Sequence, residues 1–279
     1  MTEDSAEEFV HRLEKSNHGA PMEHGAVYLK FSENDDLDFD VTFEFYKNNE
    51  YSKVEAIQIV DKYEDLITEV YVSTTYRVLF ENNRLNDLKY LCEPTEHHHK
   101  RVTVEFTCNI GVSREYNRHR KNSINEESTR YCNYSKDKYD NEINIIQNNN
   151  KLSIFDFSNG YRNFIDYCKI IVNNDAEYDN PRNGFGELDY WLFANEAAEW
   201  SYIGLTRYCD WKAQDARDIL PLDTKSTLVH SAFVEDWRHF FALRAIGTTG
   251  APHPQAKELA EPLMNEFLKR GYIKDEKER

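Results

Sequence analysis

An α+β fold, with strands paired antiparallel and helices packed on them in one elaborated domain, is what the sequence predicts. Short runs of apolar residues alternate with polar ones, as in half-buried strands. Other stretches repeat their apolar residues every 3.6 positions, as amphipathic helices do. No internal repeat or low-complexity linker divides the 279 residues, a length that can bury one large core.

In chain order, Ser5 and Glu8 form a capping box ahead of Phe9, Val10 and Leu13, which predicts a helix over 5–16. Gly19 and Pro21 turn the chain. Val27, Leu29 and Phe31 read as a strand, and Phe39, Val41, Phe43 and Phe45, set against Asp40, Thr42 and Glu44, read as a second strand antiparallel to it. Further extended segments are expected over 54–61 and 67–80, then a short helix over 84–92 that stops before Pro94. Val102, Val104, Phe106 and Cys108 alternate as another strand. From Gly111 a helix is expected to present Arg114 and Arg118, four residues apart, side by side on one face. The Asn-rich residues 147–150 and the stretch 175–186 read as loops. Leu188, Trp191, Leu192, Ala198, Tyr202 and Leu205 predict a long helix, as do Ala256, Leu259, Ala260, Leu263 and Phe267.

The net charge of -16 argues against nucleic acid or an anionic membrane as partner, because both are bound through basic surfaces. Five well-separated cysteines with no Cys-x-x-Cys pair suit a reducing compartment. The amino terminus has no basic segment followed by an apolar run, and no apolar run reaches about 18 residues. A soluble cytoplasmic protein is therefore expected. The triple His97-His98-His99 is weak as a metal site, since neighbouring side chains on an extended chain point to opposite faces; a loop near a bound cofactor is the alternative. No metal is expected.

Against this acidic background, residues 118–131 crowd guanidinium groups, amides, hydroxyls and carboxylates together: Arg118-His119-Arg120, then Asn125, Glu126, Glu127, Ser128, Thr129, Arg130 and Tyr131. Arg suits phosphate and other planar acceptors because its planar fork donates paired hydrogen bonds and keeps its charge. Ser128 and neighbouring amides can donate to phosphate oxygens, and Glu126 can accept from a ligand hydroxyl. A run of this kind can equally be a structural network of surface ion pairs.

The spacing Arg-His-Arg, seven residues, Ser resembles the signature of the flavin-dependent thymidylate synthases, and chance would place it at a given start on the order of a few times per million. Two other regions are similar to the same family. His18-Gly19-Ala20-Pro21-Met22-Glu23-His24 is similar to its His-x-Ser/Thr-Pro-x-Glu-His element, with Ala20 in place of the hydroxyl residue. Ala216-Arg217-Asp218-Ile219-Leu220-Pro221 and Phe240-Phe241-Ala242-Leu243-Arg244 are similar to its Ala-Arg-x-x-Leu-Pro and Phe-Leu-x-Leu-Arg elements.

The chain also departs from the family pattern. Phe233-Val234-Glu235 replaces an Asn-x-Arg flavin contact, and Glu115 stands where many relatives have Gln, so this acid must be paired, with Arg118 or Arg114 the expected partners. The segment of about 34–100 shows little resemblance and is expected to be a β-rich insertion. Relatives carry an Ala-Arg segment upstream of the first helix, so a version either shortened or started internally, without that part of the usual flavin site, is expected.

The resemblance implies reductive methylation of dUMP to dTMP, with FAD as cofactor and NADPH and 5,10-methylenetetrahydrofolate as cosubstrates, in a homotetramer with sites shared between subunits. It implies Arg244 as the catalytic residue polarising the pyrimidine. It further implies Glu115, Arg118, Glu126, Glu127, Ser128, Thr129, Arg130, Arg217 and Arg244 on dUMP, and His18, Ala20, Glu23, Arg118, His119, Arg120, Asn125, Glu126 and His239 on FAD. Two other functions remain open: a flavin-dependent dUMP hydroxymethylase using the same pocket, and a nucleotide-binding homologue that has lost FAD.

Overall fold

The computed structural model describes residues 3–60, 63, 65–152, 164–173 and 185–274, so the loop expected over 175–186 lies almost wholly outside the described residues. Two three-stranded antiparallel sheets organise the chain. The first has the order β1-β3-β2, from Ala26–Ser32 (β1), Lys53–Val60 (β2) and Leu66–Thr75 (β3). The second has the order β4-β6-β5, from Arg101–Asn109 (β4), Ser123–Glu126 (β5) and Lys225–Phe233 (β6). The mixed helix and antiparallel-sheet class expected from the alternating runs is the observed one.

The helices are α1 (Glu3–Lys15), α2 (Gly19–Met22), α3 (Phe39–Asn48), α4 (Tyr76–Glu81), α5 (Ile110–Tyr116), α6 (Phe164–Asn173), α7 (Glu187–Tyr208), α8 (Ala213–Ala216), α9 (Val234–Phe241) and α10 (Pro254–Lys269). Helices 5–16, 188–205 and 256–267 are where periodicity puts them. Residues 84–92 form a 3-10 turn, Leu85–Tyr90.

Three expectations need correction. Phe39–Phe45 is helix, not strand. Asp38 caps it by accepting from the Val41 amide at 3.2 Å, and Phe39 and Phe43, one turn apart, stack with centroids 6.2 Å apart. Burial follows the helical period, with Thr42 and Tyr46 inside and Val41 outside. The strand expected over 67–80 stops at Thr75, whose hydroxyl caps α4. The segment 34–100 is not simply β-rich: it supplies α3, α4 and the 3-10 turn along with β2 and β3, and β3 pairs along the whole of β1, from Ala26 with Thr75 to Ser32 with Glu69.

The main core lies on one face of the second sheet. Trp237, Phe240 and Phe241 of α9, with Phe267 of α10, pack on Phe106, Tyr116 and Leu228. Trp237 is fully buried, and its indole N–H donates to the Val102 carbonyl at 3.2 Å. A second core joins Val27, Leu29 and Phe31 to Tyr46, Val70, Val72 and Leu79. A smaller one holds Tyr134, Ile143, Tyr202 and Ala216 together.

The two sheets are tied by buried polar contacts. Arg101 donates to the Glu23 carbonyl at 3.1 Å and to Ser123 Oγ at 2.6 Å. His24 Nδ1 lies 2.7 Å from Ser231 Oγ. Asp38→Ala is expected to lower unfolding stability by about 1 kcal/mol, the worth of an N-cap; an unchanged urea midpoint would return residues 39–45 to an uncapped state.

Candidate active site

Three loops leave the second sheet at one end. Asn109 of β4 pairs with Lys225 of β6, and Glu126 of β5 pairs with Leu228. The end of β4, the end of β5 and the start of β6 therefore lie together, and α5, residues 127–129 and residues 217–222 emerge side by side. Backbone bonds fix the join: the amides of Ile110 and Gly111 donate to the carbonyls of Thr224 and Leu222, each at 3.1 Å. Asn109 caps α5 through its side chain, which accepts from the Val112 amide at 2.8 Å.

Between these loops lies a cleft of about 580 Å³ lined by Ile110, Ser113, Arg114, Glu126–Thr129, Arg217, Asp218, Leu220 and Leu222. Six of the expected site positions or their neighbours meet here: Arg114, Glu126, Glu127, Ser128, Thr129 and Arg217. Neither Arg114 nor Arg217 forms an ion pair among the described residues, and the Ser128 and Thr129 hydroxyls make no internal hydrogen bond there. Glu126 is satisfied from within: it accepts from the Ser113 hydroxyl, from Ser226 Oγ at 3.1 Å and from Asn117 Nδ2 at 2.9 Å. Glu127 accepts from the Cys132 thiol at 3.6 Å. Glu126 and Glu127 thus accept from neutral donors, while the third acid on the wall, Asp218, like Arg114 and Arg217, makes no ion pair among the described residues. Arg217 is placed by its neighbour Ala216, which is fully buried against Tyr202.

Arg244 sits beyond α9 in a π-helical turn, Ala242–Ile246. Gly247 ends this turn at φ +81°, where an added Cβ would lie 2.6 Å from the Gly250 carbonyl. The Arg244 guanidinium donates to Glu115 Oε2 at 2.7 Å, to the Glu115 carbonyl at 2.6 Å and to His119 Nε2 at 3.1 Å. Glu115 is paired, but chiefly with Arg244 and not with the expected Arg118 or Arg114: Arg118 lies 3.6 Å from its other oxygen, and Arg114 makes no ion pair among the described residues. Arg114 and Arg118 are not side by side. The helix ends at Tyr116, so Arg118 lies past its last turn, directed to Glu115, while Arg114 lines the cleft.

His119 is buried, and its pKa is pushed down to about 4 by that burial, then by Arg244 and His239. Behind it His230, fully buried on Trp237, is pushed down to about 3, again by burial first. Asn122 meets His230 Nε2 at 2.6 Å. Of the remaining expected positions, Arg120 and His239 are exposed, Asn125 lies on β5, and Arg130 donates to Gln214 at 3.3 Å.

His18, Ala20 and Glu23 lie around α2 at the other end of the sheet. His18 is exposed, and Glu23 is paired with Arg77. His24 Nε2 and Arg101 Nε are buried there without a hydrogen-bond partner. Glu235, the acid in the altered flavin element, meets His99 at 3.0 Å. The three adjacent histidines face three ways: His97 meets Glu55 at 2.8 Å, His98 Nε2 lies 3.1 Å from the Leu29 carbonyl, and His99 meets Glu235. Sequence reasoning passed over Ser113, Asn117 and Ser226, the donors that occupy Glu126. For the first two, the spacing 110, 113, 114 and 117 on one helix face was the available signal.

A larger apolar cavity of about 820 Å³, lined by Ile165, Trp200, Ile203, Tyr208 and Ile219 among others, contains Glu196 and Glu199 but no Arg or Lys among the described residues. It is therefore unsuited to a phosphate. No helix among the described residues is long and apolar enough to cross a membrane.

The sequence model of the Thymidylate synthase complementing protein family matches residues 59–270. The chain belongs to this family. The match spans the Arg118–Ser128 signature, Arg217 and Arg244, and it begins inside the 34–100 segment. Among solved structures, a UMP/dUMP methylase PolB from Streptomyces cacaoi bound with 5-Br dUMP is 21% identical, with a TM-score of 0.40 over 61% of this chain and 67% of that one. The flavin-dependent thymidylate synthase ThyX from Helicobacter pylori, complexed with FAD and dUMP, is 16% identical, with a TM-score of 0.37 over 59% of this chain and 66% of that one. Among curated proteins none matches this chain.

The buried neutral histidines make stability depend on pH. Their folded pKa values lie below the unfolded value of about 6.5, so the unfolded state binds more protons as pH falls, and stability present above about 6.5 is lost towards 4. The loss approaches about 1.4 kcal/mol per pH unit for each such histidine. His119→Asn is expected to have a shallower fall in urea stability between pH 6.5 and 5 than the wild type; equal slopes would contradict a neutral His119.

Proposed function

We propose that this protein is a flavin-dependent thymidylate synthase, converting dUMP to dTMP with 5,10-methylenetetrahydrofolate as carbon donor and NADPH as reductant. The observation that carries this reading is the pair of guanidinium groups without an ion-pair partner among the described residues, Arg114 and Arg217, sharing one cleft with the Ser128 and Thr129 hydroxyls in a chain of net charge -16. That donor set suits a phosphate dianion. Family membership supports the same reading.

In this reading the nucleotide phosphate is held by Arg114, Arg217, Ser128 and Thr129, with Arg130 at the rim. Glu126 and Glu127 shape the cleft beside the sugar. Arg244 faces the pyrimidine and stabilises negative charge as it develops on the ring. Arg118 and Glu115 frame that side.

The chain has groups suited to FAD. His18, Arg118, Arg120 and His239 are exposed donors, and beside the α2 loop the Arg101 Nε–H donor and the His24 Nε2 are buried without a partner among the described residues. His18, Glu23, Arg118, Arg120, Asn125 and His239 would hold the cofactor, with Ala20 contributing only backbone and His119 and Glu126 backing the contact. When bound, FAD supplies the hydride that completes the methyl group. The chain's own part is to bind, orient and polarise.

The protein is proposed to work in the cytoplasm as a homotetramer with shared sites. The exposed Trp200, Tyr208, Trp211 and Leu222 support burial against other copies. Each chain acts as one domain, with the 34–100 segment as an elaboration joined to β1.

Anaerobic incubation with dUMP, methylenetetrahydrofolate, FAD and NADPH is expected to yield dTMP by mass spectrometry. Hydroxymethyl-dUMP would replace the methylation step, and the absence of both products would end the reading. Arg217→Ala is expected to raise the dUMP KM about 10-fold or more, and Arg244→Ala to lower kcat at least about 100-fold with dUMP binding retained. An Arg244→Ala enzyme of near-normal kcat would remove Arg244 from the chemistry.

A further inference from the structure

Arg244 is gripped on three sides by two residues. Of the five N–H groups a guanidinium carries, one is spent on the Glu115 carboxylate at 2.7 Å, one on the Glu115 main-chain carbonyl at 2.6 Å and one on His119 Nε2 at 3.1 Å. The carboxylate and carbonyl of one residue take the two terminal nitrogens, while the imidazole takes Nε. That arrangement fixes the plane of the group and leaves two N–H groups for a ligand. The Arg244 side chain is only 12% exposed, so it has little freedom to leave.

The grip is itself rigid. Glu115 lies in α5, anchored at its start by the Asn109 cap and at its end by the Tyr116 hydroxyl, which donates to the Ala256 carbonyl at 2.7 Å. Arg114, the preceding residue, lines the phosphate cleft. One short helix therefore sets the distance between the group that binds phosphate and the group that holds Arg244. His119 accepts at Nε2, which requires the neutral ring that its burial enforces.

We propose that Glu115 is the positioning residue for Arg244, acting through orientation of the guanidinium and not through contact with the nucleotide. This rests on the dUMP reading above. A carboxylate is not required for the geometry, since an amide oxygen at the same place accepts the same hydrogen bond. It is required only that an acceptor stand there, and the charge of Glu115 partly offsets that of Arg244.

The test compares E115A with E115Q in the full-length protein. E115A is expected to lose kcat by about 10- to 100-fold, the scale of a small misplacement of a reacting group, while its equilibrium Kd for dUMP is no weaker than wild type. E115Q is expected to recover most of that kcat. Three results overturn the proposal: E115A with undiminished kcat, E115A losing kcat and dUMP binding together, or E115Q falling as far as E115A.

Side-chain 15N spectra of the ligand-free protein test the clamp independently of activity, with the Arg244 Nε–H signal identified by its absence in Arg244→Lys. The signal should be resolved and slow to exchange in wild type and E115Q, and should merge with exposed arginines in E115A. A wild-type Arg244 signal already in that exposed group would overturn the clamp. If the wild type makes no product while the spectra behave as expected, the activity reading has failed and the clamp has not.

Discussion

The pairing of β6 with β4 and β5 is the constraint on which the site depends. Register alone brings Asn109, Glu126 and Lys225 to one end of the sheet, and the three segments that leave there carry Arg114, Ser128 and Arg217. The other end of β6 runs into α9, which packs Trp237, Phe240 and Phe241 on the sheet and returns Arg244 to α5. Residues more than a hundred positions apart are thus placed by one strand. A slip of one residue would turn alternate side chains to the opposite face and dismantle both clusters.

The cleft sets two guanidinium groups, Arg114 and Arg217, beside three carboxylates, Glu126, Glu127 and Asp218. Two of the acids nearby have named partners: Glu126 has Ser113, Ser226 and Asn117, and Glu115 has Arg244 and Arg118. Arg114 and Arg217 have no ion-pair partner among the described residues. In a partly enclosed cleft, charges interact more strongly than in bulk water, so two such groups can outweigh a distant surplus of surface carboxylates screened over about 10 Å. The neutral state of buried His119 serves Arg244 in another way, since a protonated ring could not accept from its guanidinium.

The sequence made some of this legible and hid the rest for physical reasons. β1 and β4 announced themselves because one face of each is apolar, and α7 and α10 because their apolar residues recur at helical spacing. Phe39–Phe45 misled because four aromatic and aliphatic residues at alternate positions mimic a strand, although Asp38 was a cap in plain view. β6 passed unread because Ser226, His230 and Ser231 are polar yet buried. Their hydrogen bonds replace the hydrophobic pattern that periodicity detects. Arg118, Ser128, Arg217 and Arg244 were legible through a family signature, whereas the partition into the Arg114–Arg217 cleft and a clamped Arg244 depends on where α5 stops, which spacing alone did not reveal.

The central claim is that the Arg114–Arg217 cleft recognises a nucleoside monophosphate through its phosphate. Calorimetric titration of the wild-type protein with dUMP and with deoxyuridine, at one salt concentration, tests it most directly. Two charge-assisted contacts predict that dUMP binds at least about 100-fold more tightly. Equal affinities for the two, or binding of neither, would contradict the account.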